Sequence, residues 1–151
     1  MAITDFNSTK IFSGFSTSFR QWKAADSHCQ YIHGYALKFK VWFEGELDDK
    51  NWVIDFGCFK RNGVKEWLKG WFDHTTVIAE DDPELELFKE MHECGIIDLR
   101  ILSYVGCEKF AEHVALYLQD IVDKETNGRV AVQKVQCWEH EDNMAEYWIE
   151  K

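Results

Sequence analysis

The chain has 151 residues, and at roughly 150 residues per domain it is expected to form one domain, residues 1–151. Apolar residues make up 46% of it, with nine Gly and a single Pro, which excludes collagen-like, Pro-rich and low-complexity classes and allows a core without disulfide staples. A net charge of −10 argues against nucleic acid or an anionic membrane as partner, because those need clustered Lys and Arg; an anionic small molecule in a local pocket stays possible.

In chain order, Lys10 to Phe19 is rich in β-branched and aromatic residues and reads as a first strand with a bulge at Gly14. Gln21 to Tyr31 is polar and irregular. From Tyr35 to Glu44 the pattern alternates, so Tyr35, Leu37, Phe39, Val41 and Phe43 share one face, extended by His33. Gly45 to Lys50 reads as a turn, and Trp52 to Phe56 as another extended piece. Beyond Phe59 the period becomes helical, with Val64, Trp67, Leu68 and Trp71 on one face. Asp82-Pro83, then Leu85, Phe88 and Met91, with Gly95 beyond, marks a short helix. Phe110, Val114, Tyr117, Leu118 and Ile121 form a second long amphipathic face. Asn127-Gly128 is a turn signal, and Val130 to Trp138 and Met144 to Ile149 read as a strand pair. The expected class is α+β: an antiparallel four-stranded sheet with helices on one face. An apolar or aromatic second face needs a further partner, which points to oligomerisation.

The five Cys, at 29, 58, 94, 107 and 137, form no Cys-x-x-Cys pair, so a reducing, cytoplasmic setting is the default. Met1 to Lys10 shows no basic start followed by an apolar run, and no apolar run approaches the roughly 18 residues that span a bilayer, so neither a leader nor a membrane span is expected.

Four short stretches carry chemistry. Ser27 to Tyr35 gathers Cys29, His28 and His33; a thiolate is a nucleophile or base where a cation lowers its pKa, whereas most free Cys are inert small hydrophobes. Asp73-His74 follows a helix and is expected on a loop; an Asp can fix the tautomer of an imidazole, though adjacent Asp-His pairs also arise by chance. Glu139, ending a predicted strand, can accept two N–H bonds from a guanidine-like edge, or belong to a solvated acidic turn with Glu141 and Asp142. Gly106-Cys107 opens a predicted helix, whose free N–H groups suit a ligand or simply an ordinary helix start.

Taken in order, Phe15-x-x-x-Phe19-Arg20, Cys29-x-x-x-His33-Gly34, Trp52-x-x-Asp55-Phe56-Gly57-x-x-Lys60, Phe72-Asp73-His74-Thr75 and Trp138-Glu139 resemble the 6-pyruvoyltetrahydropterin synthase and 6-carboxytetrahydropterin synthase family. The resemblance covers nearly the whole chain. It implies the tunnelling fold (T-fold), whose strands close into an oligomeric β-barrel, as trimers stacked into hexamers. It implies a lyase acting on 7,8-dihydroneopterin triphosphate: either cleavage to 6-carboxytetrahydropterin, triphosphate and acetaldehyde on the way to 7-deazaguanine compounds such as queuosine, or the triphosphate elimination of the biopterin branch. A pterin- or purine-binding oligomer without catalysis is the alternative. By the same resemblance Cys29 is the catalytic thiol, Asp73 and His74 activate it, often from a neighbouring subunit, and Glu139 grips the pterin. Gly106 and Cys107 stand where the family often has Thr, leaving backbone contacts to the substrate.

The family also binds zinc through three His, one in a Phe-x-x-x-His block and two in His-Gly-His. Here those positions are Phe19, His33 and Tyr35, so His33 alone remains as a metal ligand and Tyr35 takes a ligand's place on the same strand face. A different ligand set including His28 or Cys29, a metal-free reaction using Tyr35 as donor, and ligand binding without the parent reaction are the three outcomes. Arg20, Lys23 and His28 are the candidate cations for a triphosphate.

Overall fold

The computed structural model describes residues 6–149. The strands are β1 (Asn7–Phe19), β2 (His33–Gly45), β3 (Thr75–Ala79), β4 (Leu99–Leu102), β5 (Val130–His140) and β6 (Asn143–Trp148). The helices are α1 (Gly57–Arg61), α2 (Val64–Phe72), α3 (Leu85–Glu93) and α4 (Cys107–Thr126), with one 3₁₀ turn at His28–Gln30.

A six-stranded sheet of order β4-β3-β1-β2-β5-β6 replaces the expected four-stranded one. The four long strands, β1, β2, β5 and β6, are antiparallel as expected. The two additional strands are short and parallel: β3 pairs with β1, and β4 with β3. Every residue of β3 is buried, so Thr75-Thr76-Val77-Ile78-Ala79 shows no alternation, and β4 is too short to show a period. Trp52 to Phe56 is not a strand. Asp48 holds that loop by accepting from the Lys50 and Trp52 amides at 2.8 and 3.0 Å, and Val53 and Ile54 plug into the core without strand partners.

The core lies between one sheet face and helices α2 and α4. Leu37, Phe39, Val41 and Phe43 of β2 alternate with half-buried residues, the period read in the sequence. Phe39 meets Phe72 of α2 at 5.2 Å between ring centroids, and Phe72 meets Phe110 of α4 at 5.0 Å. The β1–β2 register slips between Phe12 and Phe15, where Gly14 has φ +89°. The slip keeps Phe12, Phe15 and Phe19 all buried toward the core.

The residues of β2, β5 and β6 that alternate with the core set include Lys38, Trp42, Lys134, Trp138 and Trp148, none of them fully buried. There the Lys134 ammonium stands 4.5 Å from the Trp42 and Trp148 ring centroids, and Lys38 4.7 Å from that of Trp138. Cation–π contacts of this kind keep an aromatic face wettable. No helix among the described residues is long and apolar enough to cross a membrane.

Candidate active site

The end of β1, the start of β2 and α4, and the β5–β6 hairpin enclose a cleft of about 240 Å³. Cys29, Tyr35, Cys107 and Glu139 line it, although they are scattered along the chain. Sequence reading missed Gln21, Glu108, Asn143 and Met144, which complete the walls. Only the hairpin and helix ends bring them in, and no motif marks them.

Cys29 is exposed and sits in the 3₁₀ turn. Its amide donates to Ser27 Oγ at 3.1 Å, and its carbonyl accepts from the Gln21 amide at 2.7 Å. Those two bonds tie the irregular loop to the end of β1 and fix where the thiol emerges. Across the cleft, Asn143 Nδ2 donates to Glu139 Oε1 at 2.9 Å, and His140 Nε2 lies 3.6 Å from that same oxygen. Glu139 Oε2 has no partner among the described residues, so the carboxylate is oriented at one oxygen and open at the other.

Gly106 does not line the cleft; it shapes it. Its φ of +122° is a conformation that side-chain-bearing residues rarely adopt, and a Cβ there would lie 2.3 Å from Gln21 Nε2. That nitrogen donates to the Val105 carbonyl at 3.1 Å, closing the wall beside Cys107. Cys107 and Cys137 are both buried. Burial, and next a hydrogen bond with the Cys107 side chain, push the Cys137 thiol well above its ordinary range, so it behaves as a neutral core group.

Asp73 and His74 lie elsewhere. His74 is not on a free loop but immediately before β3, with its amide donating to the Ser16 carbonyl at 2.6 Å. Its φ is +58°, an uncommon conformation for a residue bearing a side chain and one that recurs at functional sites. The Asp73 carboxylate accepts from the Ser16 amide at 3.1 Å and faces His74 Nδ1 at 3.1 Å. The Ser16 amide, before the His74 contact, holds the Asp73 carboxyl below the usual carboxylate range. The His74 side chain is 85% exposed and borders a groove with Ser16, Ser18 and Gly34. Ser18 and Gly34 alternate with Phe19 and Tyr35, so this groove opens on the other sheet face from the Cys29 cleft.

Two of the three candidate cations, Arg20 and Lys23, are already engaged. Arg20 forks onto Asp82 at 2.8 and 2.5 Å over the Phe88 ring, and Lys23 pairs with Asp81 at 3.3 Å. Asp55, from the Asp-Phe-Gly block, caps α1 by accepting from the Gly57 amide at 2.8 Å. His28 is exposed, 6.5 Å from the Tyr31 ring.

Phe19, Tyr35 and His33 do converge, as rings. Phe19 and Tyr35 stack with centroids 4.0 Å apart and 12° from parallel, and His33 lies 4.5 Å from Tyr35 on its own strand. His33 Nδ1 is 2.9 Å from the Tyr31 carbonyl. A zinc site needs three or more N, O or S donors aimed at one point. Phe19 offers none, and no group of three or more His, Cys, Asp or Glu able to hold a metal occurs among the described residues. The residues present do not fit the zinc that the three-His pattern implies.

The 6-pyruvoyl tetrahydropterin synthase family matches residues 9–150. Among curated proteins, the 6-carboxy-5,6,7,8-tetrahydropterin synthase of Rickettsia typhi (strain ATCC VR-144 / Wilmington) is 36% identical over 93 residues, covering 61% of this chain and 63% of that protein. The protein of the same name from Rickettsia felis is 28% identical over the same length and coverage. The matched stretch thus spans 63% of the length of these relatives. Among solved structures, an uncharacterized protein of Wolinella succinogenes superposes with a TM-score of 0.79 at 19% identity, over 96% of this chain and 98% of that one. The 6-pyruvoyl tetrahydropterin synthase of Plasmodium vivax gives 0.64 at 15% identity, over 95% and 98%. These likenesses establish the T-fold.

Proposed function

The chain belongs to the 6-pyruvoyl tetrahydropterin synthase family, and from that premise we propose that it is a pterin-processing lyase of the 6-carboxytetrahydropterin synthase kind, acting on 7,8-dihydroneopterin triphosphate. The observation that carries this reading is the shared cleft of Cys29 and Glu139. A half-free carboxylate suits the amino and ring N–H edge of a pterin, and a thiol across the cleft suits proton removal from the pterin's side chain. The curated names of the relatives favour the carboxy branch over the biopterin branch.

In this reading the Asp73–His74 couple that serves a given Cys29 comes from a second copy of the chain. Each chain's own couple opens on the opposite sheet face, and a 240 Å³ cleft falls below the roughly 300–1,000 Å³ usual for ligand sites, as half of a shared site should. Asp73 holds Nδ1 of His74, leaving Nε2 to accept a proton. The aromatic open face of the sheet supports closure into a trimer or hexamer.

The ring stack in place of three imidazoles favours a second reading, a pterin- or purine-binding oligomer without the parent reaction. Incubation with 7,8-dihydroneopterin triphosphate separates the two. The lyase releases triphosphate and acetaldehyde above a Cys29→Ala control; release no faster than that control supports the binder.

A further inference from the structure

We propose that this cleft works without a metal ion, and that the Tyr35 hydroxyl, restrained by the Phe19–Tyr35–His33 ring file, is the hydrogen-bond donor offered to an oxygen of the bound heterocycle's side chain. The inference rests on the pterin reading for the ligand's identity; the metal-free part rests on the donor set alone.

The ring file restrains Tyr35. Phe19 is 2% exposed, belongs to the main core, and is wedged edge-on by Phe110 at 4.9 Å and 81°. Tyr35 lies flat on that fixed ring, and His33 lies 4.5 Å from it on its own strand. The stack restricts the Tyr35 ring in the cleft that the residue lines. The hydroxyl has no hydrogen-bond partner among the described residues. A polar group that is restrained, unpaired and facing a cavity is available to a ligand at little ordering cost.

An ordinary phenol is neutral at neutral pH: it is a poor metal ligand, which needs the phenolate, and a standing donor. A neutral O–H aimed at an oxygen stabilises negative charge developing there, with no net proton transfer and no co-reactant.

Three measurements on the full chain test this. After incubation with zinc and desalting, elemental analysis should find well under one zinc per chain; stoichiometric zinc overturns the metal-free site. The Phe19→His, Tyr35→His double variant should gain zinc, since three imidazoles then meet where the rings meet now. A folded double variant that stays zinc-free contradicts the convergence of these positions. Tyr35→Phe keeps the stack and removes only the hydroxyl. With chelator present it should bind 7,8-dihydroneopterin about three- to tenfold more weakly than wild type, the loss of one neutral hydrogen bond. Equal affinity overturns the donor role. Wild type that binds neither zinc nor dihydroneopterin overturns the pterin reading and the donor role with it, while upholding the metal-free site.

Discussion

His74 Nδ1 lies 3.1 Å from the Asp73 carboxylate, and the rest of the ring is turned to solvent on the opposite sheet face from the Cys29 cleft. The couple is formed and oriented within one chain, and among the described residues no thiol lines the groove it borders. Asp73→Asn should preserve the Ser16 contact through the amide oxygen while losing the charge that fixes the imidazole tautomer. Triphosphate release should fall by about 10²–10⁴-fold, with dihydroneopterin affinity little changed. Steady-state rates set against titration binding check this, and a matching loss of affinity would place Asp73 in the ligand contact instead.

Glu139 is held at one oxygen by Asn143, and its other oxygen has no partner among the described residues. Glu139→Ala should weaken pterin binding by about 1.5–3 kcal/mol, the scale of hydrogen bonds to a charged group. Fluorescence titration with a pterin measures it. Guanine derivatives, which share the same N–H edge, should lose affinity in parallel.

Gly106 combines a φ of +122° with a Cβ position 2.3 Å from Gln21 Nε2. Gly106→Ala should therefore cost about 1–3 kcal/mol of stability through backbone strain. Adding Gln21→Ala removes the contact but not the strain, so it should restore only part of the loss in urea unfolding. Full restoration would show that the clash alone matters.

His113 on α4 is packed against Trp67 at 5.1 Å and Trp71 at 4.8 Å, and its Nε2 is buried without a hydrogen-bond partner among the described residues. Burial lowers its pKa below the ordinary 6.5. The unfolded chain thus binds the proton more readily than the folded one. Its contribution to stability is complete above pH 6.5 and is lost as pH falls from there toward the depressed folded value. Urea unfolding of wild type between pH 7 and 5 should show this loss, and His113→Phe should lack that part of the slope. Identical slopes would remove His113 as the cause.

Much of the fold was legible because its long strands have one buried face. The alternation of Tyr35 to Phe43 and the break at Gly14 each carry a local signal that the structure repeats. The strands β3 and β4 were not legible, since a fully buried five-residue run and a four-residue edge strand have no period to read. Cys29, Tyr35, Cys107 and Glu139 line one cleft, while Gly106 is not among its lining and His74 borders a different groove; Gln21 and Met144 reach the cleft only through tertiary packing. Arg20 and Lys23 show the limit of reading charge from sequence. Both look available for a triphosphate, and both are engaged by Asp82 and Asp81, some 60 residues away. The aromatic file at Phe19, Tyr35 and His33 follows from strand register, but its stacking is a three-dimensional fact.

The shared site is tested most directly by mixing two inactive chains. Cys29→Ala and His74→Ala chains, separately tagged, are co-expressed and the doubly tagged assemblies isolated. If each site takes its thiol from one copy and its imidazole from another, about a quarter to a third of the sites in the mixed assemblies regain both groups, and triphosphate release returns in that proportion. Mixed assemblies as inactive as either parent, beside an active wild type, would contradict the account.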